Sequence, residues 1–281
     1  MPTIRSLVNG GAAAAVTAAA VLVLALEPQA VSAYSPSVLS LRQPGDAVFV
    51  AGHRGDQEAA PENTIPAFQA AFDAGVDFVE TDVQLTADGF AVLMHDETVD
   101  RTTDGSGAVR DLTFAELRML DAGSWFSDEF AGTRVPELAE FLDLLVAHPG
   151  ARALVELKDY WTADEVRGIL DDIYVRGVQG RILLAGFHLG TILNLAETAP
   201  AIPRVIARRD LPGDPVGLAT FYGAAAIMTS PETIENSPDA VAGLHEAGVA
   251  VMVYTLNSEQ GWRVAASAGV DGIVTDSPGA L

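Results

Sequence analysis

Residues 77–96 read DFVETDVQLTADGFAVLMHD, and the alternation within them decides how the rest of the chain assembles. A strand over 77–85 places Phe78, Glu80 and Asp82 on one face and Val79, Thr81 and Val83 on the other. Only a short segment containing Ala87-Asp88-Gly89 separates it from the next apolar run, residues 90–95, and Asp-Gly is a hairpin signal. The second run is therefore an antiparallel return arm and not a further member of a parallel sheet. With Asp88 and Gly89 as a two-residue loop, paired positions sum to 177, so His95 lies opposite Asp82 on the same face.

Outward from this hairpin the same rhythm repeats. Strand patterns at 47–51, 153–157, 182–185, 205–207, 225–229, 249–254 and 272–275 join 77–85 to make eight of parallel type. Several are apolar along nearly their whole length, as strands covered on both faces should be. Helical patterns occupy 163–174, 189–198, 214–222, 237–247 and 258–268. A further helix, capped by Asn63 or Thr64, carries Pro66 in its first turn and ends at Gly75. Eight strand–helix units in one α/β chain predict a (β/α)8 TIM barrel, with an open doubly wound sheet as the alternative.

Residues 98–133 are polar and Gly-rich around one helical stretch, 114–120, and read as a small insertion over the barrel mouth. Gly105-Ser106-Gly107 lacks the flanking strand and helix of a nucleotide fingerprint. Pro136-Glu137-Leu138 reads as the start of a loop. The barrel domain spans 47–281, behind a lead-in at 34–46.

The first 33 residues differ from the rest. Arg5 precedes an apolar run over 10–26, and Val31-Ser32-Ala33 supplies a small-x-small cleavage pattern. A signal peptide of residues 1–33, cut after Ala33, predicts a secreted protein with no stable membrane span left after cleavage. The absence of Cys excludes disulfides, thiolate metal sites and a cysteine nucleophile. Sixteen Lys and Arg against 38 Asp and Glu give a net charge of −22, which argues against nucleic acid as a partner. A local basic pocket can still bind phosphate. The sequence carries no signal for oligomeric state.

Barrel chemistry gathers where strands end at their C-terminal side. The first strand delivers His53 and Arg54 there, the second Glu80 and Asp82, and strand 153–157 delivers Glu156 and Lys158. Three carboxylates crowded together raise one another's pKa unless a cation intervenes. Oxygen-only ligation favours Ca²⁺ or Mg²⁺ over Zn²⁺. Arg54 and Lys158 suit an anionic ligand, phosphate above all. His53 and His95 flank the same place. Each of these residues has an ordinary alternative, such as an exposed strand-end ion pair for Glu156 and Lys158. Their convergence on one rim is what favours a metal-dependent active site, since ionisable ends on buried strands are costly without a use. His188, Tyr254, Trp125 and Phe126 are candidate pocket residues. The last two alternatively pin the insertion to the barrel. Asn63 lies near the mouth and reads first as a helix cap.

The blocks Gly52-His53-Arg54-Gly55, Pro61-Glu62-Asn63-Thr64, the run 80–89, His95-Asp96, Arg101-Thr102-Thr103, Val155-Glu156-Leu157-Lys158 and 269–278 resemble the glycerophosphodiester phosphodiesterase family, in the family's order. The resemblance implies a (β/α)8 barrel with Glu80, Asp82 and Glu156 as divalent-metal ligands. It implies His53 and His95 as the general acid–base pair, and Arg54 and Lys158 as phosphate contacts. The implied substrate is a small glycerophosphodiester, hydrolysed to sn-glycerol 3-phosphate and an alcohol, in some relatives through a cyclic phosphate. The sequence departs from the pattern at Ala185-Gly186-Phe187-His188 and at Leu256, where an aromatic residue is common. Two other readings are a lysophospholipase D-like enzyme and a non-catalytic phosphodiester-binding barrel.

Overall fold

The computed structural model describes residues 38–43 and 46–280. The proposed signal peptide lies outside the described residues, as do parts of the lead-in. The strands are β1 (Phe49–Gly52), β2 (Phe78–Leu85), β3 (Ala91–Leu93), β4 (Arg152–Leu157), β5 (Ile182–Gly186), β6 (Arg204–Ala207), β7 (Ala226–Thr229), β8 (Ala250–Val253) and β9 (Gly272–Thr275). All but β3 pair in parallel, in the order β1-β9-β8-β7-β6-β5-β4-β2, and β1 also pairs with β2. That last pairing closes the sheet into an eight-stranded barrel and removes the open-sheet alternative.

Alternation sorts the two cores. Ala51, Phe78, Leu154, Leu183, Val205, Ala226, Ala250 and Val274 fill the barrel interior. Val79, Val83, Val155, Leu157, Ile227 and Val251 point outward into the larger core beneath the helices. Glu80 and Asp82 share the inward face of Phe78, and Glu156 that of Leu154, so the strand period aims all three carboxylates into the barrel.

The helices are α1 (Ile65–Asp73), α2 (Phe114–Leu117), α3 (Leu138–Ala147), α4 (Ala163–Val175), α5 (Leu189–Thr198), α6 (Pro215–Tyr222), α7 (Pro231–Asn236), α8 (Pro238–Glu246) and α9 (Glu259–Ser267). Two of them lie outside the sequence expectation. Helix α3, over the segment read as a loop start, buries Leu138, Phe141, Leu142 and Leu145 against the barrel. The Glu140 carboxylate accepts from the Glu137 backbone N–H at 2.9 Å, at the helix entrance. Helix α7 is a short piece ahead of α8, started by Ser230, whose hydroxyl accepts from Thr233 N–H at 3.3 Å. Helix α2 is one turn shorter than expected and ends at Leu117.

The hairpin register also differs from expectation. Val83 pairs with Leu93, Gln84 with Val92 and Leu85 with Ala91, a sum of 176. The loop is three residues, 87–89, closed by Thr86 N–H to the Phe90 carbonyl at 2.9 Å. Gly89, at φ +85°, takes the left-handed position that such a loop needs. Asp82 thus faces Met94, and His95 follows just beyond the paired arm.

Residues 98–133 pack on this hairpin through their own small core, in which Val99, Val109, Leu117 and Ala122 meet Val92 and Met94. Phe90 stacks on Phe114 at 4.9 Å. At the opposite pole, Val38 enters the barrel interior, with Leu39 and Leu41 packed beside it. Arg42 ties this stretch down: its backbone N–H donates to Asp271 at 2.7 Å and its guanidinium to the Ala266 carbonyl at 2.8 Å. No helix among the described residues is long and apolar enough to cross a membrane.

Candidate active site

The C-terminal ends of β1, β2 and β4 form one wall of a cavity of about 160 Å³. His53, Arg54, Glu80, Asp82, His95, Glu156 and Lys158 all line it, together with Phe187, Met228, Tyr254, Thr255 and Val274. Every charged residue singled out in the sequence, and the histidine pair His53 and His95, therefore meet here. The one-residue register difference does not withdraw His95, because it sits past the last paired residue, where the chain leaves the strand.

Glu80, Asp82 and Glu156 are buried and offer oxygen atoms within 4.8 Å of one another. Burial, then the charges of Asp82 and Glu156, push Glu80 well above the usual carboxylate range. Burial and Asp82 push Glu156 up to about 7. Asp82 goes the other way. Its burial is outweighed by Lys158 and Arg54, which hold it ionised below its ordinary value. Lys158 reaches Glu156 at 2.8 Å and Asp82 at 3.4 Å, and these anions overcome its burial to keep it charged. Buried, oxygen-only and short of positive charge, this trio has the donor chemistry of a hard divalent cation site.

The turn after β1 places two further groups. Arg54 adopts φ 55°, a left-handed conformation that costs about 1–2 kcal/mol for a side-chain-bearing residue. Its backbone N–H donates to Glu80 at 2.8 Å, and its guanidinium lies 2.7 Å from Glu62 and 3.4 Å from Asp82. Gly55 follows at φ +90°, where a Cβ would sit 2.5 Å from the Ala67 backbone of α1, so no other residue fits. Asn63, at φ 54°, is not the cap of α1; Thr64 holds that position. Asn63 turns inward, donating to Asp82 at 2.9 Å and accepting from the Thr81 hydroxyl at 2.9 Å. It braces a carboxylate of the trio.

Each histidine has its Nδ1 held by an aspartate. His53 Nδ1 lies 2.5 Å from Asp276, just past β9, and Asn257 donates to the same carboxylate at 2.5 Å. Gln57 contacts both members of the pair. Burial notwithstanding, the hydrogen bond from His53 lowers the Asp276 pKa, so the carboxylate is ionised and Nδ1 must be the donor. His95 Nδ1 lies 2.8 Å from Asp96. Burial, only partly offset by Asp82, holds His95 below the ordinary histidine value. Both rings thus leave Nε2 as the free nitrogen.

The other pocket candidates divide. Tyr254 lines the cavity, edge-on to Phe187 at 5.9 Å. His188 is turned away to a structural position, where its Nδ1 accepts from Gly190 N–H at 3.2 Å and caps α5. Trp125 donates to the Ala122 carbonyl at 3.0 Å and packs edge-on against Phe126, which packs on Phe130. Neither is among the residues lining the cavity, and the cluster holds its own segment together. Sequence reasoning does not single out Phe187 as a site residue, although an aromatic directly after an apolar strand end is an available signal. It also misses Glu62, Asp96, Arg101, Asn257 and Asp276 as parts of the site.

A model of the glycerophosphoryl diester phosphodiesterase family matches residues 53–280. A glycerophosphodiester phosphodiesterase of Caldanaerobacter subterraneus is 34% identical over 237 residues, 83% of this chain and 96% of its own. Among solved structures, a phosphodiesterase of Oleispira antarctica in complex with the product sn-glycerol-3-phosphate superposes with TM-score 0.78 at 27% identity, covering 83% of this chain and 94% of that one. A glycerophosphodiester phosphodiesterase of Agrobacterium tumefaciens does so with TM-score 0.73 at 32% identity, covering 83% of this chain and 100% of that one.

Proposed function

The chain belongs to the glycerophosphoryl diester phosphodiesterase family and is an enzyme of that activity; from that premise we propose a metal-dependent hydrolysis in which two histidines divide the proton transfers. The observation that supports this reading is the meeting of His53, His95, Arg54, Lys158 and the carboxylate trio in one cavity. The substrate is a small glycerophosphodiester, and the products are sn-glycerol 3-phosphate and an alcohol.

Glu80, Asp82 and Glu156 would hold the cation, Ca²⁺ or Mg²⁺, which when bound supplies positive charge against the phosphate oxygens. Arg54 and Lys158 bind the phosphate and offset the charge that grows on its non-bridging oxygens. His95, kept neutral at pH 7 by its burial, takes the proton of the attacking hydroxyl at Nε2. His53, its ring fixed by Asp276, delivers a proton from Nε2 to the departing alkoxide. If the attacker is the neighbouring glycerol hydroxyl, a cyclic phosphate forms and water opens it with the two roles exchanged.

The test is glycerophosphocholine hydrolysis by His53→Ala and His95→Ala. Each variant loses about 10²–10⁴-fold in kcat while metal affinity by calorimetry stays nearly constant. A p-nitrophenyl diester, whose leaving group needs no acid, restores His53→Ala far more than His95→Ala. Full turnover by either variant removes that histidine from the mechanism. Choline release from lysophosphatidylcholine in the same assay would move the substrate class to lysolipids.

We place the enzyme outside the cytoplasm, on the apolar run 10–26 followed by Val31-Ser32-Ala33. Secreted material should begin at Tyr34 on N-terminal sequencing; an intact Met1 would refute export with cleavage.

A further inference from the structure

We propose that Arg101 is a positioning residue that couples the two halves of this site, holding the His95 imidazole and the Arg54 guanidinium in register through two carboxylates. The inference rests on the roles assigned to His95 and Arg54 above. Arg101 touches neither. Its Nε and Nη2 donate to Asp96 at 2.5 and 3.0 Å, and its Nη1 and Nη2 donate to Glu62 at 2.6 and 2.8 Å. Asp96 in turn receives His95 Nδ1 at 2.8 Å, and Glu62 receives Arg54 Nη1 at 2.7 Å. One guanidinium thus grips two carboxylates side by side, and each carboxylate aims one group lining the cavity.

Two features separate this from an ordinary loop anchor. The backbone around Asp96 has its own fastenings: Gln84 Nε2 donates to the Met94 carbonyl at 2.9 Å and to the Asp96 carbonyl at 2.5 Å. Val99 N–H bonds to Gly107 and Val109 N–H to Glu97, at 3.0 and 2.9 Å. The Arg101 side chain is also 44% exposed, so removing it opens no core. Glu62, by contrast, is 6% exposed and would form a closed pair with Arg54 if left alone with it. By taking a share of the Glu62 charge, Arg101 leaves the Arg54 guanidinium oriented yet free to meet a phosphate. Lysine cannot substitute, because a single ammonium lacks the planar fork that spans both carboxylates.

Kinetics of Arg101→Ala and Arg101→Lys on glycerophosphocholine test the proposal, with wild type and His95→Ala as controls. The expected loss in kcat for Arg101→Ala is about 10–100-fold, the usual effect of removing a group that orients a site residue. KM should rise as Arg54 loosens, and metal affinity should hold. Added guanidinium chloride should restore part of the Arg101→Ala rate, and Arg101→Lys should remain impaired. The p-nitrophenyl diester should not rescue Arg101→Ala, since His95 acts before the leaving group departs. Arg101→Ala combined with Asp96→Asn should be no slower than the slower single variant, because both break one chain of contacts. Wild-type kcat in Arg101→Ala, full activity in Arg101→Lys, or no response to guanidinium overturns the proposal. Should that happen while His95→Ala is inactive, the catalytic reading stands; an active His95→Ala would remove that reading and the proposal with it.

Discussion

A carboxylate whose pKa is lifted by burial binds a proton until a cation displaces it. Burial pushes Glu156 up to about 7 and Glu80 well above its ordinary value, while Asp82 stays ionised beside Lys158 and Arg54. Cation binding should therefore release protons near neutrality. Protons compete with the metal below the raised pKa values, so affinity should strengthen as pH rises through about 7. Calorimetry in two buffers of different ionisation heat reads the released protons directly. Asp82→Asn should weaken the metal by more than about tenfold, since it removes a ligand charge from a hard-cation site. Pairs at i, i+2 made Glu80, Asp82, Glu156 and Lys158 legible in the sequence, the end of the first strand did so for His53 and Arg54, and the hairpin for His95. Glu62, Asp96 and Arg101 were not legible as a unit. Arg101 and Glu62 are 39 residues apart, and nothing local in the chain announces that two loops will share a guanidinium.

Helix α3 shows how burial outweighs the signs by which helices are usually found. It follows Pro136 with Glu137 as its N-cap, an unusual residue in that place, and its cue is the apolar stripe Leu138, Phe141, Leu142 and Leu145. Leu142 is fully buried in the core between helices and barrel. Leu142→Ala should cost about 2–5 kcal/mol, read as a lower midpoint in denaturant melts, with kcat unchanged in the folded protein. The return arm carries a different lesson. Strand type and direction followed from Asp-Gly, but the pairing sum of 176 depended on whether the turn takes two or three residues. That choice lies in the Thr86 and Phe90 closure, a contact between residues the turn motif does not name.

At the scale of the whole molecule, a charge of −22 surrounds a cavity that must admit a phosphate. Arg54 and Lys158 act only at short range, because the Debye length is about 10 Å at 0.1 M salt. Net-anionic diesters such as glycerophosphoglycerol should be repelled on approach, and their kcat/KM should rise with salt. Zwitterionic glycerophosphocholine should respond little. Equal salt dependence for the two substrates would exclude long-range repulsion as a determinant of their use. The eight parallel strands were readable from the repeated strand–helix rhythm, because each apolar run had to be covered on both faces; closure was not, since an open sheet buries its strands the same way and only the pairing of β1 with β2 tells the two apart.

The seating of Val38 and Arg42 has an orientational meaning. The chain enters the barrel at the pole where the strands begin, and His53, Glu80 and Lys158 stand at the pole where they end. Anything joined ahead of residue 38, whether a fusion partner, a surface handle or a lipid-embedded leader, therefore holds the enzyme by its floor. A tethered copy would present its catalytic face away from its support, towards whatever diffuses past.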